Sequence, residues 1–259
     1  MGNAIDHPAG SFCWFELATT DQDGARNFYT QLFGWGYNDS PMDEGVYTMF
    51  SLNGADVAAA YTMAEEQQQQ GMPANWLPYV TVADADSSAA TASANGGTIL
   101  MPAFDVGDFG RMSVIQDPQG AVFAVWCPGE HRGVDAVGIP GSVCWNELWT
   151  SDMAAASKFY ASVFGWGLQL TNMGMPYTEI YNGSEAIGGM FQMDGPDFEG
   201  IPPSWTIYFA VEDCDQAADR VVALGGAINT PPTDIPNVGR FAVVNDPQGA
   251  VFALIQLNG

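Results

Sequence analysis

Apolar and polar residues alternate from Phe12 to Thr19, which predicts a β-strand with one buried face. Asp21 follows as a helix cap. Phe28, Tyr29, Leu32 and Phe33 then recur at helical spacing until Gly34 closes the run. Strand-like segments come next at Val46–Leu52 and Val57–Thr62. The pattern then restarts. It gives a strand near Trp76–Val82, a cap at Asp84 or Asp86, and a helix ending at Asn95-Gly96-Gly97. Further strands are predicted near Thr98–Met101, Arg111–Gln116 and Ala121–Trp126, the last two joined by an Asp117-Pro-Gln-Gly120 turn. The Gln-rich stretch from Glu65 to Gly71 reads as a solvent loop without chemistry.

The whole pattern is written twice. Ser11–Gly36 returns as Ser142–Gly167 with 14 of 26 positions identical, and Asp117–Ala124 returns letter for letter as Asp246–Ala253. The chain therefore divides into a tail (1–10), one unit (11–127), a Gly/Pro-containing linker (128–141) and a second unit (142–257). Each unit holds two β-α-β-β-β modules, an α+β architecture.

Composition narrows the function. Apolar residues make up 47% of the chain, with 15 Phe, 9 Tyr and 8 Trp, enough for packed cores. No apolar run reaches the length of a membrane helix, and Met1–Ser11 has neither a basic nor an apolar leader segment. These features predict a cytoplasmic protein. Thirty acidic residues stand against six basic ones, a net charge of −24. That argues against nucleic-acid and anionic-membrane partners, whose phosphates need a basic face. An acidic surface maintains solubility, and it can also attract cationic small molecules. Cys13, Cys127, Cys144 and Cys214 form no C-x-x-C pair and read as small buried residues rather than a disulfide framework.

The strand-Asp-helix segment carrying Phe28-Tyr29 and Leu32-Phe-Gly-Trp35, with the closing Asp-Pro-x-Gly hairpin, resembles the vicinal oxygen chelate superfamily. That group contains glyoxalases, bleomycin-resistance proteins and extradiol dioxygenases. Trp14–Asp21 and Val238–Gly249 are most similar to tandem members labelled glyoxalase-like or hydroxylase. The resemblance covers nearly the whole chain. It implies two modules per unit curled into a cup, with a divalent metal held by His, Gln or Glu on the inner face. The places it implies for ligands are Trp14, Leu77, Ala124 and one residue within 58–61. In the second unit they are Trp145, Thr206, Ala253 and one within 188–191. None is a usual ligand. The histidines, His7 and His131, fall in tail and linker, where a solvated ring is expected. No cofactor is therefore predicted, and a divalent metal is the alternative.

Strand alternation fills the cups with other groups. Trp14, Glu16 and Ala18 share a face, as do Leu77, Tyr79 and Thr81, and Val122, Ala124 and Trp126. The second unit gives Trp145, Glu147 and Trp149; Thr206, Tyr208 and Ala210; and Val251, Ala253 and Ile255. Each cup is expected to be aromatic with one carboxylate and one phenol, suited to a small organic ligand. Glu16 and Glu147 are candidate acid/base groups, or structural acceptors for Tyr79, for Tyr208 or for an arginine. Arg111 and Arg240 are candidate ligand anchors, or salt-bridge partners of one of the many acids or of Glu16 and Glu147 themselves. Trp76 and Trp205 lie on the opposite face and read as helix-packing core.

Three functions follow: a small-molecule binding protein, a lyase, isomerase or oxygenase-type enzyme, and an interaction protein with vestigial cups. The expected assembly is a monomer whose units pair within the chain, or a homodimer.

Overall fold

A computed structural model describes residues 5–42, 45–172 and 176–258. Residues 1–4 of the predicted tail lie outside that range.

The first unit runs β1 (Phe12–Thr19), α1 (Gln22–Phe33), β2 (Gly36–Pro41), β3 (Val46–Leu52) and β4 (Ala55–Thr62). After α2 (Glu65–Gln69) it continues with β5 (Asn75–Thr81), α3 (Ala85–Ala94), β6 (Thr98–Val106), β7 (Gly110–Gln116) and β8 (Val122–Pro128). The second unit repeats this order. It has β9 (Val143–Thr150), α4 (Met153–Phe164), β10 (Gly167–Asn172), β11 (Pro176–Asn182) and β12 (Glu185–Gln192), then β13 (Ser204–Ala210), α5 (Cys214–Ala223), β14 (Ala227–Ile235), β15 (Gly239–Asn245) and β16 (Val251–Leu257). Each unit forms one eight-stranded sheet, ordered β2-β3-β4-β1-β5-β8-β7-β6 and β10-β11-β12-β9-β13-β16-β15-β14. The architecture is α+β with two tandem cupped sheets.

Four side-chain caps start the main helices. Asp21, Asp84, Asp152 and Asp213 accept from the backbone N–H groups of Gly24, Ser87, Ala155 and Gln216. Asp84, and not Asp86, is thus the cap of α3. Two elements escaped the periodicity. β2 is exposed at every position, so no alternation marks it. α2 is one helical turn with no buried residue, where the sequence predicts a loop.

The longest identical motifs pack the two units together. The Tyr29 hydroxyl of α1 donates to Asp246 of the opposite unit's turn at 3.0 Å, and the Tyr160 hydroxyl of α4 donates to Asp117, also at 3.0 Å. Trp76 and Trp205 donate back to those two hydroxyls at 3.0 and 2.9 Å, which places both indoles in the packed core. The other oxygen of Asp117 accepts from the N–H groups of Gln119, Gly120 and Ala121. Each Asp-Pro-Gln-Gly turn is therefore shaped by its aspartate and locked by a tyrosine of the other unit. Trp35 and Trp166 also reach across, to the carbonyls of Gly141 and Gly10. One continuous buried cluster spans both units.

Arg111 and Arg240 are corrections to the ligand-anchor reading. Their neighbours Met112 and Phe241 face inward, so each guanidinium leaves on the helix side of the sheet. Arg111 pairs with Asp86 at 2.7 Å and Asp105 at 2.9 Å; Arg240 pairs with Asp215 and Asp234 at the same distances. Both arginines are about one-third exposed. Solvent-screened pairs contribute little. Arg111→Ala is expected to leave the urea midpoint of unfolding nearly unchanged, and a large drop would contradict this placement.

Candidate functional site

Strand register builds the first cup. Trp14 stands beside Tyr79, and Tyr79 beside Ala124; Glu16 stands between Ala59 and Leu77. Side chains of paired residues share a sheet face, so all of these point inward. Glu16 accepts from two phenols: Tyr47 at Oε1 and Tyr79 at Oε2, each at 2.7 Å. The Tyr47 hydroxyl in turn accepts from Trp14 Nε1 at 3.1 Å. An indole, two phenols and one carboxylate thus form a continuous network.

The second cup repeats it. Glu147 accepts from Tyr177 at 2.9 Å and Tyr208 at 2.7 Å, and Trp145 donates to Tyr177 at 2.9 Å. A third donor is added here: Trp149 Nε1 reaches Glu147 at 3.0 Å. The close fit needs Gly189 opposite Glu147, because a Cβ there would collide with the Tyr177 ring. The first unit has Ala59 at that place.

Burial raises the pKa of Glu16 and Glu147 above the ordinary carboxylate value, and the phenol hydrogen bonds partly oppose it. Tyr79 and Tyr208 are held well above the usual phenol range, first by burial and then by the adjacent carboxylate. The phenols therefore stay protonated donors at neutral pH. A carboxylate so placed can accept a ligand proton or hydrogen bond, the minimum for acid/base work.

Ala124 and Ala253 are fully buried and close the cup floors without a polar group. Trp126 forms a wall, edge-on to Tyr79 at 6.4 Å between centroids. His131 departs from expectation. Its ring packs edge-on to Trp14 at 4.4 Å and near Trp126 at 6.1 Å, while Trp126 Nε1 donates to the His131 carbonyl. Burial lowers its pKa, and Nε2 is buried without a partner among described residues. The linker is thus folded onto the first cup, and its imidazole belongs to that aromatic wall.

Tyr47 and Tyr177 are the site residues that the sequence reading missed. Both are followed by Thr and occupy equivalent places in the repeat, so aligning the middle strands would have exposed them. They are hidden because β3 and β11 are short and diverge around these pairs.

The donor set does not fit a divalent metal. Such a site needs at least three convergent N, O or S ligands. Each cup supplies one carboxylate, already hydrogen-bonded, plus protonated phenols and apolar groups; the His131 imidazole at the first cup raises its count only to two. Among the described residues no three His, Cys, Asp or Glu side chains converge. Also among them, no helix is long and apolar enough to cross a membrane.

Comparisons with known proteins agree with this fold. A family model described as Glyoxalase/Bleomycin resistance protein/Dioxygenase superfamily matches residues 4–125 and 141–254. A protein of Mycobacterium tuberculosis, CFP32, provisionally named a glyoxylase, is 42% identical over 99% of this chain and 98% of its own length. The anthracycline biosynthesis protein DnrV of Streptomyces peucetius is 36% identical over 96% of this chain and 94% of its own. Among solved structures, the Mn(II)-bound glyoxalase of Novosphingobium aromaticivorans shares the fold with a TM-score of 0.63 at 17% identity, covering 96% of this chain and 82% of that one. The 2,3-dioxygenase LapB from Pseudomonas does so with a TM-score of 0.64 at 14% identity, covering 97% and 94%. With both units matched by the family model and full-length relatives well above 30% identity, the chain belongs to the glyoxalase/bleomycin resistance/dioxygenase superfamily as a tandem two-domain member.

Proposed function

We propose that the protein binds a small planar aromatic molecule bearing hydroxyl groups at this cup network. The carrying observation is the network of one carboxylate held by two phenols inside an aromatic wall, built in both units. Indole and phenol rings favour a flat apolar ligand, and the carboxylate oxygens keep acceptor capacity for its hydroxyls. The name of the Streptomyces relative supports the class, since anthracyclines are flat, polycyclic and hydroxylated. The net charge of −24 would further favour neutral or cationic ligands over anionic ones.

The raised carboxylates favour a second reading, in which Glu16 or Glu147 shuttles a proton on the bound molecule. Binding comes first in either case. Titration with 1,4-dihydroxyanthraquinone should quench the cup tryptophans saturably, while unsubstituted anthraquinone binds at least tenfold more weakly. Equal affinity for the two dyes would remove the carboxylate from the reading. Absence of saturable binding to either would leave the cups vestigial. Proton exchange at the dye's ring carbons in D2O, lost in Glu16→Gln, is the result expected of the catalytic version.

A further inference from the structure

The two cups share the Trp-Tyr-Glu-Tyr network, yet they differ beside the carboxylate. In the second cup the inward pair across β9 and β12 is Trp149–Phe191. Their rings lie 5.3 Å apart and Phe198 packs on both. The Trp149 indole also bonds Glu147, so that carboxylate has three protein donors. In the first cup the equivalent pair across β1 and β4 is Ala18–Tyr61. The indole is replaced by a methyl group, and the phenyl ring by a phenol.

Tyr61 is also the cross-strand partner of Tyr47, so its ring lies on the cup side. Its hydroxyl is close enough to Glu16, Tyr47 and Tyr79 to perturb them or be perturbed electrostatically. It makes no hydrogen bond with a described residue. Glu16 and Tyr61 are both only partly buried, whereas Glu147 of the second cup is buried. An ionised carboxylate offers about four acceptor positions, and Glu16 uses two of them. The first cup therefore holds a carboxylate with acceptor capacity and a phenol donor on one sheet face, with Ala18 where the second cup has Trp149.

We propose that the first cup is the ligand site, and that Glu16 and Tyr61 read a planar aromatic with a hydroxyl and a carbonyl on one edge. The ligand hydroxyl donates to Glu16 and its carbonyl accepts from Tyr61. Trp14, Trp126 and His131 supply the wall against which the ring lies. The second cup, with Glu147 held by three protein donors and its flank filled by Trp149, is a packed structural copy. This assignment rests on the aromatic-ligand reading above and adds which copy binds, the polar edge it recognises, and Tyr61 as its specificity residue.

The test uses the full chain and 1,4-dihydroxyanthraquinone, with near-ultraviolet circular dichroism to verify folding of each variant. One dye per chain is expected. Tyr61→Phe should weaken binding about tenfold, the effect of losing one hydrogen bond in a buried site. Ala18→Trp, which rebuilds the second cup's plug in the first, should abolish it. If Ala18→Trp fails to fold, Tyr61→Phe and the stoichiometry carry the test. Two dyes per chain, unchanged affinity in Tyr61→Phe, or loss of binding in Trp149→Ala but not in Ala18→Trp overturns the assignment while leaving the ligand class standing. If the unmodified chain binds no dye at all, the ligand reading falls, and this assignment falls with it.

Discussion

Tyr160→Ala is expected to lower the unfolding free energy by about 4–5 kcal/mol, and Tyr160→Phe by about 1–3 kcal/mol. The ring is fully buried. It stacks on Trp166 at 5.6 Å and meets Trp205, Phe159 and Phe123 at 5.3, 5.0 and 5.5 Å. Deleting it leaves a cavity among rings that are held from both units and cannot collapse into it. The hydroxyl adds a separate contribution. It donates to Asp117 and accepts from Trp205, so Phe leaves a buried carboxylate oxygen and an indole N–H without partners. Domains of this size are stable by only ~5–15 kcal/mol, so the alanine variant approaches the limit of folding. Urea titration followed by tryptophan fluorescence measures both. Because the core is continuous across the units, a single transition is expected for the parent chain. Two separate transitions, or a loss under ~1 kcal/mol for Tyr160→Ala, would refute the role given to this contact.

The fold was largely legible because its signals are local. Asp21 and Asp152 cap helices where the sequence places them, and the alternation in Phe12–Thr19 gives the inward set Trp14, Glu16 and Ala18. Glu16 with Tyr79, and Glu147 with Tyr208, are among the pairings that strand alternation allows, and they are joined at 2.7 Å. What escaped depends on tertiary placement. Tyr47 and Tyr177 enter the cups through sheet order, which no single-strand pattern contains. His131 sits on Trp14 only because the linker turns back after β8, held by its N–H to the Phe109 carbonyl. Arg111 and Arg240 were ambiguous in sequence because the Gly-Arg repeat says nothing of facing. Their outward direction follows from Met112 and Phe241 pointing in. The duplicated turn motif misled in a useful way. Its letter-for-letter identity marks the contact between units, whereas the cup walls have diverged at Ala18/Trp149 and Tyr61/Phe191.

Raising the pH from about 5 to about 8 is expected to destabilise the protein, the reverse of the trend set by surface-paired carboxylates. Glu16, Glu147, Asp117 and Asp246 are all pushed up from their ordinary values of 4.5 and 3.8, in each case chiefly by burial. An acid with a raised folded-state value binds its proton more tightly in the native than in the unfolded chain. Its stabilising share is complete below the unfolded value and is lost as pH rises through the folded one. The window therefore opens near pH 4 and extends upward. Each tenfold gain in proton affinity contributes about 1.4 kcal/mol. Asp86 and Asp215 act oppositely. Their arginine partners hold them low, so whatever these exposed pairs add is lost below about pH 4, and stability turns over there. General repulsion within a chain of net charge −24 also eases on acidification, so the comparison belongs at high salt, about 0.5 M, where the Debye length falls below ~5 Å. The urea midpoint should then be higher at pH 5 than at pH 8. The Glu16→Gln/Glu147→Gln double variant should show a shallower slope, because its amides do not titrate; each keeps one acceptor oxygen for a phenol and turns an NH2 donor toward the other, which lowers the midpoint at both pH values alike. A midpoint that rises from pH 5 to pH 8 at high salt, or a slope unchanged in the double variant, would show that the cup carboxylates are not the buried titrating groups described above.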